Sequence, residues 1–321
     1  MPNKLLKVAL VFLCSINVIF AQTYPTKPIR IIIPFPPGGG SDAIIRVFAP
    51  KFSEFIGQPI IIDNRSGANG NVGTEAVARS SPDGYSLLFN GSGTLAINPS
   101  LYSKLPYDVV RDFSPISLMV FQPHVLVLHP SVPAKSVKEL IALARSHPGK
   151  LNYASSGNGS LAHLGGQLFK TTAHLEITHI PYKGAAPSLI DLIAGQVHMV
   201  FSSAPSVIPH IKNNKLRPIG VTTLKRISVL PEVPSLIESG VDGFILIGWY
   251  GMLAPTGTPI NIIGKLNNEI LATLTQISVR QKLNDLGLEI EHLAPSYFND
   301  FIKSEISKYS KVIQSGNIRI E

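Results

Sequence analysis

Short apolar runs alternate with glycine-rich polar turns and amphipathic stretches along this chain, and the alternation predicts its elements. Ile29, Ile31, Ile32 and Ile33 form a nearly continuous apolar run broken only by Arg30, the pattern of a strand covered on both faces in a parallel sheet. PFPPGGGSD (34–42) follows, where prolines stop the strand and three glycines let the backbone turn without a Cβ clash. Ser41 and Asp42 are then placed to cap a helix with an apolar face of Ile44, Ile45, Phe48, Phe52 and Phe55, ended by Gly57. Residues 59–64 read as a second strand and residues 74–80 as a small-residue helix. A Pro-Asp-Gly turn leads to a third strand at 85–89, which runs into the polar turn NGSGT (90–94). This βαβαβ order implies a parallel, doubly wound sheet.

Residues 118–128 read as a strand interrupted by Pro123, a place for the chain to cross between lobes. Ser136 and Glu139 have capping-box spacing and open a helix through 146, stopped by Pro148 and Gly149. The first half's logic then repeats. Strand 151–154 runs into SSGNGS (155–160), helix 161–173 follows, then strand 177–181, YKG (182–184) and helix 187–194. Strand 197–201, SSAP (202–205) and strand 216–222 complete the second half, after which the chain crosses back. Thr258 is expected to cap the next helix with Pro259 at its first position, burying Ile263, Leu266, Ile270 and Leu274. A last helix at 296–315 carries Phe298, Phe301, Ile302, Tyr309 and Ile313, with Gly316 just past its end. The expected organisation is α/β in two lobes, residues 22–122 with 226–321 and residues 123–225. Each lobe is expected to hold a mostly parallel sheet flanked by helices.

Composition adds a compartment. Lys4 and Lys7, the apolar stretch 8–20 and Ala21 read as a cleavable secretory signal over 1–21. That stretch is too short to span a bilayer, no lipobox precedes Cys14, and no later segment is apolar enough to cross a membrane. Cys14 is the only cysteine, so the processed chain has no disulfide or thiol chemistry. Losing Lys4 and Lys7 takes the formal charge from +8 to +6, and the remaining basic residues are scattered, which excludes a nucleic-acid face.

The candidate chemistry sits in the turns. PPGGGSD offers Gly38, Gly39 and Ser41, and SSGNGS offers Ser155, Ser156, Gly159 and Ser160, both at helix starts. Each turn is either a tight connection or half of an anion seat made of backbone N–H groups at a positive helix end. No Walker lysine follows Gly40, so a nucleotide is unsupported. Neutral donors suffice for a carboxylate: each hydrogen bond to a charged group contributes roughly 1.5–3 kcal/mol, and micromolar affinity needs about 8 kcal/mol. Ser160 is accordingly expected to donate to an ionised ligand. Enzyme constellations are weak. No Gly-x-Ser-x-Gly elbow exists, Ser160 with His163 is a one-turn helical pair, and His174 and His179 have no zinc spacing. A secreted hydrolase using Ser160 or Ser155 is the competing reading; no catalytic residue, metal or cofactor is expected. Trp249 and Tyr250 could line a cleft or pack in the core, and Lys183 could lend the cleft a positive charge.

PFPPGGGSDAIIRVFAPKF and DNRSGANGNVGTEAVARSSPDGYSLLF resemble the Bug-type solute receptors of the tripartite tricarboxylate transporter family. The likeness continues through INPSLYSKLPYDVVRDFSPI, HIPYKGAAPSLIDLIAGQVHMVF, LRPIGVTTLKRISVLPEVPSLIESG and GWYGMLAPTGTP. The resemblance implies a type II periplasmic-binding-protein-like fold with a ligand cleft between the lobes. It also implies a monomeric periplasmic receptor that closes on a small organic acid, whether a di- or tricarboxylate, an aromatic acid or an amino acid. The acid would be delivered to a permease of one large and one small membrane subunit, or presented to a sensor kinase. On this likeness Phe35, Pro37, Gly38, Gly39, Ser41 and Asp42 form one wall, with Ser92 and Thr94 at the next strand end. Ser155, Ser156, Gly159, Ser160 and His163 face them, and Tyr182, Lys183, Ser202 and Ser203 stand near the variable end. Departures are Gly40 and Ser66 where relatives often have proline, Gln167 for glutamate, and Ser202 where an aspartate is common. That last change favours a simple carboxylate over an amino acid.

Overall fold

The structure, a computed structural model, describes residues 24–315 and residue 318. The signal expected at 1–21 and the helix stop expected at Gly316 lie outside the described residues.

Three parallel strands open each half. In the first, β1 (Ile29–Ile33), β2 (Ile60–Asn64) and β3 (Ser86–Gly91) lie in the order β2-β1-β3. In the second half, β5 (Asn152–Ser155), β6 (Thr178–Pro181) and β7 (Met199–Ser203) lie as β6-β5-β7, again parallel. The apolar run of β1 earns this position because both its faces are covered. Ile29, Ile31 and Ile33 pack with Ile44, Phe48 and Phe52 of the helix Gly40–Ile56 and with Leu266 and Ile270 of the helix Ile260–Leu274. Ile32 faces the other side with Val77 of the helix Asn71–Ala78.

The two halves share one strand. β4 (Phe113–Leu128) pairs antiparallel with β9 (Ile247–Pro255) up to Pro123, then with β7 and β8 (Arg217–Val221) from His124 onward. β9 lies between β3 and β4, and β10 (Glu289–Leu293) pairs with β4. The protein is therefore two-lobed α/β as expected, but each sheet is mixed rather than mostly parallel. The strands that leave and re-enter a half run against its βαβαβ unit. Pro123 sits at the changeover between ladders, where a missing N–H costs least.

The return crossing lies beside the first. Thr222 N–H donates to the His124 carbonyl at 3.0 Å, and Leu246 N–H donates to the Thr222 carbonyl at 3.0 Å. The Thr222 hydroxyl also accepts from His124 N–H at 3.1 Å. Residues between these crossings stay with the second half: Ile227, Leu230 and Val233 share a core with Val125 and Val200, and Phe244 stacks on Phe201 at 5.5 Å. The chain thus re-enters the first half near Ile247, not at 226 as the sequence suggested. Thr258 is not the expected cap either. Pro259 takes that position, and the Thr258 hydroxyl donates to the Pro255 carbonyl at 2.8 Å to close the turn. The helix Pro295–Ser315 braces the crossing from behind. Phe298 and Phe301 flank Trp249 at 5.7 and 5.5 Å, and the Trp249 indole donates to Glu305 at 3.0 Å.

Candidate functional site

A cavity of about 1140 Å³ opens between the halves. Its walls include the turns at the carboxyl ends of β1, β3, β5 and β7, where open α/β sheets bind their ligands. Phe35, Pro37, Gly38, Gly39, Ser41, Ser92 and Thr94 line it from the first half, and Ser156, Gly159, Ser160, Lys183, Ser202 and Ser203 from the second. Asp42, Ser155, His163 and Tyr182 are absent from that lining and stand behind it. Among the described residues no aspartate or glutamate lines the cavity, and Lys183 is the one lysine or arginine that does. No three histidine or carboxylate side chains among them converge as a metal site.

The first turn is tied from within. The helix begins at Gly40, so Gly39 (φ −79°, ψ 175°) is the N-cap, and Ser41 and Asp42 lie in the first turn instead of capping it. Asp42 reaches back to accept from Gly38 N–H at 2.9 Å, and also accepts from Arg46 at 2.7 Å and Asn64 at 3.2 Å. Burial acts to raise its pKa; the bonds from Arg46, Gly38 and Asn64 outweigh it and hold the carboxyl below the usual range. The Gly38 N–H is thereby occupied. The N–H groups of Gly39, Gly40 and Ser41 have no partner among the described residues, as the start of a helix requires.

The second turn is a mirror of this arrangement with different parts. Ser160 caps the helix Leu161–Thr172, accepting from His163 N–H at 3.2 Å and donating to the Gly157 carbonyl at 2.7 Å. Ser155 is fully buried; its hydroxyl lies 2.6 Å from His179 Nε2 and accepts from Gly157 N–H at 3.1 Å. Gly159 N–H donates to His163 Nδ1 at 3.1 Å. The two imidazoles stack with centroids 4.0 Å apart, and Tyr153 covers the outer face of His179. Burial lowers the pKa of His163, and burial followed by the neighbouring His163 pushes His179 down to about 4. Ser155, Ser160 and His163 therefore build the turn. The expectation that both serine hydroxyls reach a ligand gives way, because their hydrogens already have partners. What faces the cavity is backbone: the N–H groups of Ser156, Asn158, Leu161 and Ala162 have no partner among the described residues.

Neither serine is placed as a nucleophile. Ser160 with His163 is a helix cap, and the Ser155 hydroxyl touches His179 but is sealed from solvent. Tyr182 donates to Asp191 at 2.6 Å, which turns its hydroxyl away from the cleft. The open choice at 249–250 resolves by residue: Trp249 packs in the core, while Tyr250, stacked on Phe89 at 5.5 Å, lines the cavity. Sequence reasoning missed Gln122 and His124, which also line it. Their signal was present, as two polar residues spaced two apart in the otherwise apolar run LMVFQPHVLVL.

Known proteins share this fold. Residues 44–318 match the family described as Tripartite tricarboxylate transporter family receptor (TctC). Protein BugT of Bordetella pertussis is 35% identical over 99% of each chain. Among solved structures, an R. palustris protein with adipate is 37% identical and superposes with a TM-score of 0.87, covering 92% of this chain and 99% of that one. MatC from Rhodopseudomonas palustris, solved with bound malate, is 31% identical with a TM-score of 0.81, covering 90% of this chain and all of the other. The matching span, the near full-length relatives and the shared two-lobed fold agree, and this chain belongs to the tripartite tricarboxylate transporter receptor family.

Proposed function

We propose that this protein is a periplasmic receptor that captures a small organic carboxylate by closing its halves about the β4 crossing. It then delivers the acid to a membrane permease of one large and one small subunit. One observation carries the reading: among the described residues, two helix N-termini with at least seven unpartnered backbone N–H groups between them face one cavity whose walls hold no carboxylate side chain. Four or five bonds of roughly 1.5–3 kcal/mol each reach the ~8 kcal/mol of micromolar binding. The bonds accept a negative charge without fixing one positive charge against it, which suits capture followed by release.

Closure follows from size. At about 1140 Å³ the cavity exceeds the ~300–1,000 Å³ typical of pockets that enclose a small ligand. A short acid can touch both turns only when the halves approach, so binding shifts the balance toward the closed form. The ligands of the two R. palustris relatives, adipate and malate, are both dicarboxylates and support this class. Ser202 and the lack of any acidic wall residue among the described residues favour a simple acid over an amino acid. Catalysis has no part in the reading, since the two candidate serines are engaged in the turn.

Native mass spectrometry of freshly purified protein is expected to show a copurified organic acid. Calorimetry after its removal is expected to give micromolar or tighter binding to a member of a broad carboxylate panel. Absence of binding to every acid in the panel overturns the proposal. Deleting the gene and comparing acid uptake with acid-induced transcription separates delivery to a permease from presentation to a sensor.

A further inference from the structure

Building on the carboxylate reading, we propose that Gln122 and His124 form a distinct subsite on the cleft floor. It takes an uncharged oxygen function, a hydroxyl or keto group, on the backbone of the ligand. The two residues are spaced two apart on β4, so their side chains share one face of the strand. That face is the cleft, since both line the cavity, while Phe121 points behind to meet Phe301 at 5.9 Å. Each is only 5% exposed. The Gln122 amide has no hydrogen-bond partner among the described residues, and His124 Nδ1 is sealed with only the Gln122 backbone beside it. Buried amides are nearly always satisfied, so the unpaired Gln122 amide, lining a ligand cavity beside His124, points to a partner that arrives from outside.

The position defines the chemistry. A Cβ built on Gly40 would lie 3.1 Å from Gln122 Nε2, and one built on Gly248 would lie 3.4 Å from its Oε1 and 3.2 Å from Leu161 Cδ1. The amide therefore sits beside the start of the first-half helix at Gly40 and near the start of the second-half helix at Leu161. The free N–H groups at those starts are matched to the ionised end of a ligand. Between them Gln122 offers both a donor and an acceptor without charge. His124 is neutral at pH 7, its pKa held near 4 by burial, with the Gln122 backbone opposing that shift. The pair then fits a group that can give and take a hydrogen bond. A methylene at the same place would leave the amide and the imidazole unpartnered once closure expels water.

Matched acids test this by calorimetry at pH 7: succinate with malate, glutarate with 2-hydroxyglutarate, and adipate with a hydroxyadipate. Wild type is expected to prefer the oxygenated member of the length it accepts by roughly ten- to a hundredfold. Gln122→Leu and His124→Phe are expected to bring that ratio toward one. The ratio is read rather than the affinity, so a general weakening from altered packing leaves the answer intact. Gln122→Asn, which keeps the amide but withdraws it, serves as the second variant and is expected to give an intermediate ratio. Equal binding of both members by wild type, or variants that weaken both members alike, overturns the subsite while sparing the receptor reading. No binding of any acid by wild type overturns the receptor reading and the subsite with it.

Discussion

Gly39→Asp separates the anion seat from the fold that carries it. Gly39 is exposed at the N-cap with extended φ and ψ, and an added Cβ meets only the Pro36 carbonyl at 3.6 Å. Aspartate is sterically free there and is a better cap than glycine by a few tenths of a kcal/mol, so the melting temperature is expected to hold or rise. The new carboxylate would take the N–H of Ser41, one of the groups left open for a ligand. Asp42 itself is tied to Arg46, so the added charge is not balanced locally. At about 5 Å and an effective dielectric of about 20, its repulsion of a bound carboxylate is roughly 3 kcal/mol. One displaced charged hydrogen bond adds about 1.5–3 kcal/mol. Together these give about 5 kcal/mol, a loss beyond roughly a thousandfold. Gly39→Asn caps without charge and is expected to lose only about tenfold. Calorimetry with the copurified acid, beside thermal unfolding of both variants, makes the comparison. Wild-type affinity in a normally folded Gly39→Asp protein would remove the first turn from the site.

Three other perturbations probe the parts that hold the site. Ser160→Ala removes a helix cap and is expected to cost about 0.5–2 kcal/mol of stability, with a smaller effect on affinity than Gly39→Asp; a large affinity loss at unchanged melting temperature would show the hydroxyl reaching ligand after all. Acidification should destabilise the protein, because His124 and His179 hold pKa values near 4 when folded against an ordinary 6.5. The unfolded chain then binds more protons between about pH 6.5 and 4, so stability is complete above that window and falls through it, on the order of 1 kcal/mol or more per histidine by pH 5. A melting temperature that stays flat from pH 7.5 to about 4.5 contradicts those low values. Trp249→Phe strips the buried Glu305 of its indole donor and leaves Lys308 at 3.1 Å as its partner. A loss of about 1–3 kcal/mol in urea unfolding is expected, with ligand affinity retained.

Local pattern carried the architecture where covering on both faces leaves an imprint, as in the four isoleucines of β1, and where a cap has side-chain chemistry, as at Ser136, whose hydroxyl accepts from Glu139 N–H at 3.2 Å. It did not carry partners chosen at long range. Nothing in GWYGMLAP says that β9 inserts between β3 and β4, because strand neighbours are set by the assembled core. Pro115 and Ser117 hid the first residues of β4, although Ser117 is fully buried with its hydroxyl on the Leu118 carbonyl. Within the site, the glycine turns were legible and the fate of their serines was not. Ser155 turns inward only because His179, from the neighbouring strand, and His163, from the following helix, stack beneath it. Asp42 looked like a cap because the helix start was set two residues late; the true start depends on its reach back to Gly38.

The continuous strand β4 has a consequence for how the molecule can be made. β9 fills the gap between β3 and β4 only after the whole second half has been synthesised, since it enters at Ile247. Until then the nascent first sheet has two open flanks and no way to seal them. A cut at the crossing severs the one strand that joins the β9 ladder, up to Pro123, to the β7 and β8 ladders from His124 onward. Assembly is therefore a late, all-chain event, compatible with a polypeptide that must remain threadable until its final third has emerged.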